Sequence, residues 1–211
     1  MAERASGSGE SARDQTKEVA RIASFSDGVY AIAITLLTLQ LDVPTSGDLA
    51  QGLAALAPFF LSFVLSFLVI GMYWMAHHRL FAVVERYDAR FIWLNMLVLF
   101  FIVLQPFTTS LVAERGDHSI AVAAYALSLA AVGFAHTGLT AYALRGHRLC
   151  SPLVPDREIS FSLWRGLSVS LVFASSVLLL PLGADVVKYA WLVLPLVQHL
   201  VRRRYARPGE V

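Results

Sequence analysis

Apolar and polar positions along the chain sort into six long apolar windows separated by short polar stretches. A hydrocarbon core about 30 Å thick takes roughly 20 helical residues to cross, and each window approaches or exceeds that length. The windows run over residues 19–41, 49–76, 91–112, 119–144, 159–182 and 185–201. The first stops at a polar stretch in which Pro44 and Gly47 mark a turn. Pro106 predicts a kink in the third, the Ala-rich fourth suits close packing against a neighbour, and the sixth, the shortest, carries Pro195.

Composition agrees with the pattern. Of 211 residues, 57% are hydrophobic and 15% charged, and the charges cluster between the windows. The expectation is an all-α, polytopic membrane protein with six transmembrane helices over 19–204. A disordered cytoplasmic tail is expected over 1–18 and a cytoplasmic C-terminal tail over 205–211. Arg4, Arg13, Lys17 and Arg21 precede the first window; Arg79, Arg86 and Arg90 lie between the second and third. Arg145, Arg148 and Arg157 lie between the fourth and fifth, and Arg202, Arg203, Arg204 and Arg207 follow the sixth. The other three connections hold only Arg115 and Lys188 against five acidic residues, so both termini are expected in the cytoplasm of a multi-pass cell-membrane protein. Because topology accounts for the basic C-terminal cluster, no nucleic-acid partner is expected. Cys150 is the one cysteine and cannot form an intramolecular disulfide.

Soluble chemistry is not encoded. No glycine-rich phosphate loop, His-Glu-x-x-His, Gly-x-Ser-x-Gly or metal-spaced cysteine pair occurs, so neither an enzyme nor a cofactor is expected. His77 and His78 are adjacent, so they point about 100° apart on a helix and suit hydrogen bonding better than chelation of one metal. His136, inside the fourth window, reads as a packing histidine.

The first window carries more than hydrophobicity. At about 100° per residue, Gly28, Ile32, Leu36 and Leu39 fall within about 80° of one another, with Thr35 on the flank. Such a stripe serves as a packing seam, a lipid face or a gate, and Thr35 can also return its hydroxyl to the backbone of the preceding turn. Asp27 lies about 140° from Ile32, so its carboxylate turns away from whatever the stripe faces. A carboxylate at that depth needs partners, and Arg21, Trp74, His77, His78 and Asn95 are the donors within reach.

The stretch "RIASFSDGVYAIAITLL", with Arg21 four residues before Phe25-Ser26-Asp27, resembles the Arg-x-x-x-Phe-Ser-Asp signature of the endosomal and lysosomal potassium channels of the transmembrane-protein-175 type. Six spans and a histidine pair ending the second agree with it. Only one copy is present, as in prokaryotic single-repeat relatives. The resemblance implies a homotetramer whose pore is lined by the first helix, embedded in a lipid bilayer and passing potassium ions without a carbonyl selectivity filter. By position it implies a hydrophobic constriction at Ile32, narrow rings at Leu36 and Leu39, and a polar ring at Thr35. It implies a network anchoring the first helix through Arg21, Phe25, Ser26 and Asp27, with His77 or His78 and Asn95 as partners. Arg21 falls near the stripe on the wheel, so an orientation toward the pore mouth stays open. The expected function is a potassium-permeable cation channel with a modest preference over sodium. The alternative is a proton-conducting or proton-coupled transporter in which Asp27, His77 and His136 titrate. An unrelated secondary transporter would show internal repeats and broken helices, and neither is evident in the sequence.

Overall fold

The structure is a computed structural model that describes residues 2–44 and 48–205, the side chains of 2–13 excepted. Helix α1 (Ala2–Leu36) continues into a 3₁₀ turn, Leu37–Gln40. A short α2 (Leu49–Ala55) leads into α3 (Ala57–Phe81). Then follow α4 (Ala89–Val103), α5 (Gln105–Arg115), α6 (Ser119–Leu144), α7 (Asp156–Ser176), α8 (Ala184–Ala190) and α9 (Leu194–Tyr205). Among the described residues the six segments long and apolar enough to cross a membrane are Asp14–Gln40, Ala57–Phe81, Ala89–Arg115, Ser119–His147, Asp156–Leu182 and Ala184–Tyr205. The protein is therefore all-helical with six membrane spans.

Two boundaries differ from the sequence expectation. The tail expected as disordered over 1–18 is helical from Ala2 and runs unbroken into the first span. It contains no proline, and i,i+3 pairs of Lys17 with Asp14 and Arg21 with Glu18 support its last turns. Of the expected C-terminal tail, Tyr205 is the last residue of α9, and 206–211 lie outside the described residues, as does the turn residue Gly47.

Several spans are broken, the third where Pro106 predicts a kink. Proline is the cause. Pro106 has no N–H, and the third span divides into α4 and α5 around Leu104. Pro195 cannot donate to the carbonyl of Trp191, so Trp191–Val193 tighten into a 3₁₀ turn and Leu194 N–H caps that carbonyl instead. Pro181 sits in a 3₁₀ turn over Val177–Leu182, which ends at Gly183 with φ +120°, a conformation suited to glycine.

Helix α6 is the spine of the fold, with half of its span buried against 6% for the last span. Small residues let α7 approach it: a Cβ at Gly133 would collide with Ser170 Oγ, and one at Gly166 with Thr137 Oγ1. Tyr30, Ala33 and Leu37 of the first span join Ile70, Phe91, Val98, Ile102, Val132 and Leu139 in one apolar core. At the end of the bundle that carries the basic loops, the N–H groups of Glu85 and Arg86 donate to Leu149 O at 2.9 and 3.2 Å, and Cys150 is buried beneath this contact. Asp88 caps α4 by accepting from Phe91 N–H at 2.8 Å and also accepts from Tyr142 Oη at 2.5 Å, tying α4 to α6. The Tyr142 hydroxyl, followed by the helix-capping N–H groups, holds the Asp88 carboxyl below the usual carboxylate range.

Candidate functional site

Helix α1 has two unlike faces. Ser26, Tyr30, Ala33 and Leu37 recur at intervals of three or four residues and are all buried against the other helices. On the opposite side the structure leaves Gly28, Ile32, Thr35, Leu36 and Leu39 uncovered, with Ile32 61% and Leu39 74% exposed. Thr35 Oγ1 donates to the carbonyl of Ile32 at 2.9 Å, one residue nearer than the i−4 carbonyl. The stripe thus makes no seam within its own subunit.

Behind the buried face, three of the expected residues meet in a directional chain of hydrogen bonds. Asn95 Nδ2 donates to Ser26 Oγ at 3.0 Å, and Ser26 Oγ donates to Ile22 O at 2.9 Å. Asn95 Oδ1 lies 2.8 Å from His77 Nε2. Since the Asn95 amide nitrogen is committed to Ser26, its oxygen accepts, and the proton of His77 sits on Nε2. Ser26, Asn95 and His77 are at most 1% exposed, so water does not compete. Of the two adjacent histidines only His77 turns inward; His78 is exposed and lies against the Trp74 ring at 5.7 Å.

The remaining motif residues do not join this chain. Asp27 is on the flank of α1, exposed in the single subunit, and accepts from Trp74 Nε1 at 2.8 Å. Arg21 is exposed and pairs with Glu18 at 2.7 Å. Phe25 is 57% exposed. The motif therefore divides into a buried serine that ties α1 to α4 and α3, and three residues that face outward.

Sequence reasoning missed what surrounds His77. Its ring stacks on Phe81 at 4.5 Å and lies 5.4 Å from Tyr30 and 6.1 Å from His136. The Tyr30 hydroxyl and His136 Nε2 are buried without a hydrogen-bond partner. Tyr30 is four residues beyond Ser26, and that spacing was the available signal. A second polar group lies between α3, α5 and α6, where Thr109 Oγ1 donates to Ser66 Oγ at 2.8 Å, and Ser66 pairs with Tyr125 Oη at 3.0 Å. A cleft of about 470 Å³ beside Leu36 and Leu39 is lined also by Gln40, Asp42 and Glu114, which places two carboxylates next to the far end of the stripe. Among the described residues no three His, Cys, Asp or Glu side chains converge as a metal site.

The family described as the endosomal/lysosomal potassium channel TMEM175 matches residues 21–106. A potassium channel of Streptomyces collinus is 39% identical over 179 residues, which cover 77% of this chain and 86% of that relative. The chain belongs to the TMEM175 family. A crystal structure of a lysosomal potassium-selective TMEM175 homolog from Chamaesiphon minutus aligns with a TM-score of 0.75 at 29% identity, over 90% of this chain and all of that one. The human endosomal/lysosomal proton channel TMEM175 is 41% identical over 93 residues, 39% of this chain but 18% of that protein. TMEM175 is a family of ion channels, so the protein is a multi-pass membrane protein of a channel family and not an enzyme. The region matched to the TMEM175 family contains Arg21–Asp27, the stripe, His77 and Asn95, and leaves out His136.

Proposed function

We propose that the protein is a potassium-permeable cation channel in which four copies of α1 surround one pathway. The observation that carries this reading is the uncovered stripe: Ile32, Leu36 and Leu39 are exposed on a helix whose opposite face is fully engaged. One helix cannot enclose a path, whereas cyclic symmetry closes a ring from identical stripes. The bacterial relatives' designation as potassium channels supports the choice of ion.

Ile32, Leu36 and Leu39 form narrow apolar rings, Ile32 being the dry constriction, and Thr35 supplies a polar ring between them. An apolar ring closes by excluding water and conducts when it widens enough for a partly hydrated ion. Potassium sheds water more readily than sodium, so a path without a carbonyl filter favours potassium modestly. Asp42 and Glu114 concentrate cations beside the far end of the stripe. Ser26, Asn95 and His77 hold α1 against its own subunit, and Asp27 with Trp74 steadies its flank, leaving Asp27 to meet the neighbouring subunit. The basic loops support an orientation with both termini in the cytoplasm and the protein in the cell membrane.

The test is current recording from purified protein in planar bilayers under a potassium–sodium gradient, together with native mass spectrometry. Four chains and a reversal potential displaced toward potassium are expected. A monomer at every detergent concentration refutes the pore. The buried His77–His136 pair with its unpartnered Nε2 favours a second reading, proton conduction, which the name of the human relative also supports. Under a pH gradient with impermeant ions, a current lost in His136→Phe but kept in Ile32→Asn would select it.

A further inference from the structure

Behind the buried face of α1, the interior holds more polar atoms than the chain of Ser26, Asn95 and His77 satisfies. The Tyr30 hydroxyl and His136 Nε2 are sealed from solvent without a hydrogen-bond partner, and their residues are 1% and 6% exposed. They come from different helices, α1 and α6. Both rings nevertheless lie beside the His77 ring of α3, at 5.4 and 6.1 Å between centroids. Stranding a buried hydroxyl or ring nitrogen costs free energy, so two such atoms around one imidazole call for a common partner.

The ring geometry leaves a place for that partner. Phe81 stacks on the His77 ring with 22° between their planes and closes one face. Tyr30 and His136 stand at 57° and 50° to the same ring, so their faces diverge from it and wedges open between them. Ala33, nearly one turn after Tyr30 on the buried face of α1, adds only a methyl group to this interior. The count of donors and acceptors also closes. His77 Nε2 carries its proton toward Asn95 Oδ1, so Nδ1 of that ring is an acceptor. The Tyr30 hydroxyl donates and accepts, and His136 Nε2 does one or the other according to its tautomer. Water donates two bonds and accepts two, so it serves either tautomer, and a buried water typically makes about three bonds. An apolar guest would leave both atoms stranded. A metal ion is short of ligands, because among the described residues no three His, Cys, Asp or Glu side chains converge.

We propose that Tyr30, His77 and His136 enclose a binding site for internal water, which bridges Tyr30 Oη to His136 Nε2 and so ties α1 to α6. The site depends on the packing within one subunit and on neither the potassium nor the proton reading of conduction.

Two measurements on the purified full-length protein test it. In a crystal or cryo-electron-microscopy map fine enough to show ordered water, density should stand at hydrogen-bond distance, about 2.7–3.2 Å, from both Tyr30 Oη and His136 Nε2. A dry interior overturns the proposal, as does a direct bond between the two atoms or from either to a backbone carbonyl. Thermal melting supplies a sign. Tyr30→Phe deletes only the hydroxyl, so loss of a bridging water should lower the melting temperature by about 2–4 °C, whereas deleting a stranded hydroxyl should raise it. His136→Leu should also melt lower, and the double variant should fall little below the worse single, because the bridge is lost only once. A Tyr30→Phe protein that melts at or above the parent, or single losses that simply add in the double variant, overturns the bridge. Tyr30→Phe keeps its ring in the core and decides the matter if His136→Leu fails to fold.

Discussion

Replacing Asn95 with Leu removes both hydrogen bonds that join α1, α3 and α4 while keeping a side chain of similar size in the core. Two groups lose their partners: His77 Nε2–H, which faces Asn95 Oδ1 at 2.8 Å, and Ser26 Oγ, which accepts from Asn95 Nδ2 at 3.0 Å. Ser26 keeps its own bond to Ile22 O, so its loss is the smaller. Stranding a buried polar group costs about 1–3 kcal/mol, whereas side-chain hydrogen bonds between membrane helices average about 0.6 kcal/mol because the separated helices find other partners. Here the first figure governs, since Ser26, Asn95 and His77 are sealed from water within the folded subunit. The expected loss is about 2–4 kcal/mol, or about 5–15 °C in unfolding temperature for a chain of this size. Cys150 provides the assay, because it is the one cysteine and is fully buried, so a fluorogenic maleimide reacts as the fold opens. Ser26→Ala should cost about 1 kcal/mol, and the Ser26→Ala/Asn95→Leu double variant little more than Asn95→Leu alone, because the shared bond is already gone. An Asn95→Leu protein that melts within a degree or two of the parent, or a double variant whose losses simply add, would refute the coupled chain.

Ile32→Asn should raise conductance and lower the potassium–sodium preference, because a polar ring of similar size removes the dewetting barrier; recordings unchanged from the parent would remove Ile32 from the constriction. Ala33→Asn, one residue on but 1% exposed, should instead destabilise the fold, which a melting curve separates from a conduction effect. Trp74→Phe keeps an aromatic ring but deletes the indole N–H that donates to Asp27, and should loosen assembly more than it alters ion preference, as read by subunit count against temperature. Asp88 gives a pH prediction. Its carboxyl titrates below the usual carboxylate range in the folded state, chiefly through the Tyr142 hydroxyl, so its stabilisation is present above that range and is lost as pH falls through it toward the lower folded value; Asp88→Asn should flatten the acid limb of a stability–pH profile.

The spans were legible because hydropathy is a property of each segment taken alone. The stripe was legible for the same reason: Ile32, Leu36 and Leu39 share a face by helix geometry, whatever surrounds them. What the sequence left open was depth and rotation between helices. His77 and His78 are equivalent until the rotation of α3 is known, and α3 turns His77 inward together with Ile70 and Phe81 because the apolar side chains on that face must be buried. Arg21, Phe25, Ser26 and Asp27 are contiguous as a motif, yet four positions in seven residues span nearly every direction around a helix, so only Ser26 reaches the interior. Proline positions were legible and their consequences only partly so. The break in the last span precedes Pro195 because the missing N–H leaves a carbonyl four residues earlier without its donor.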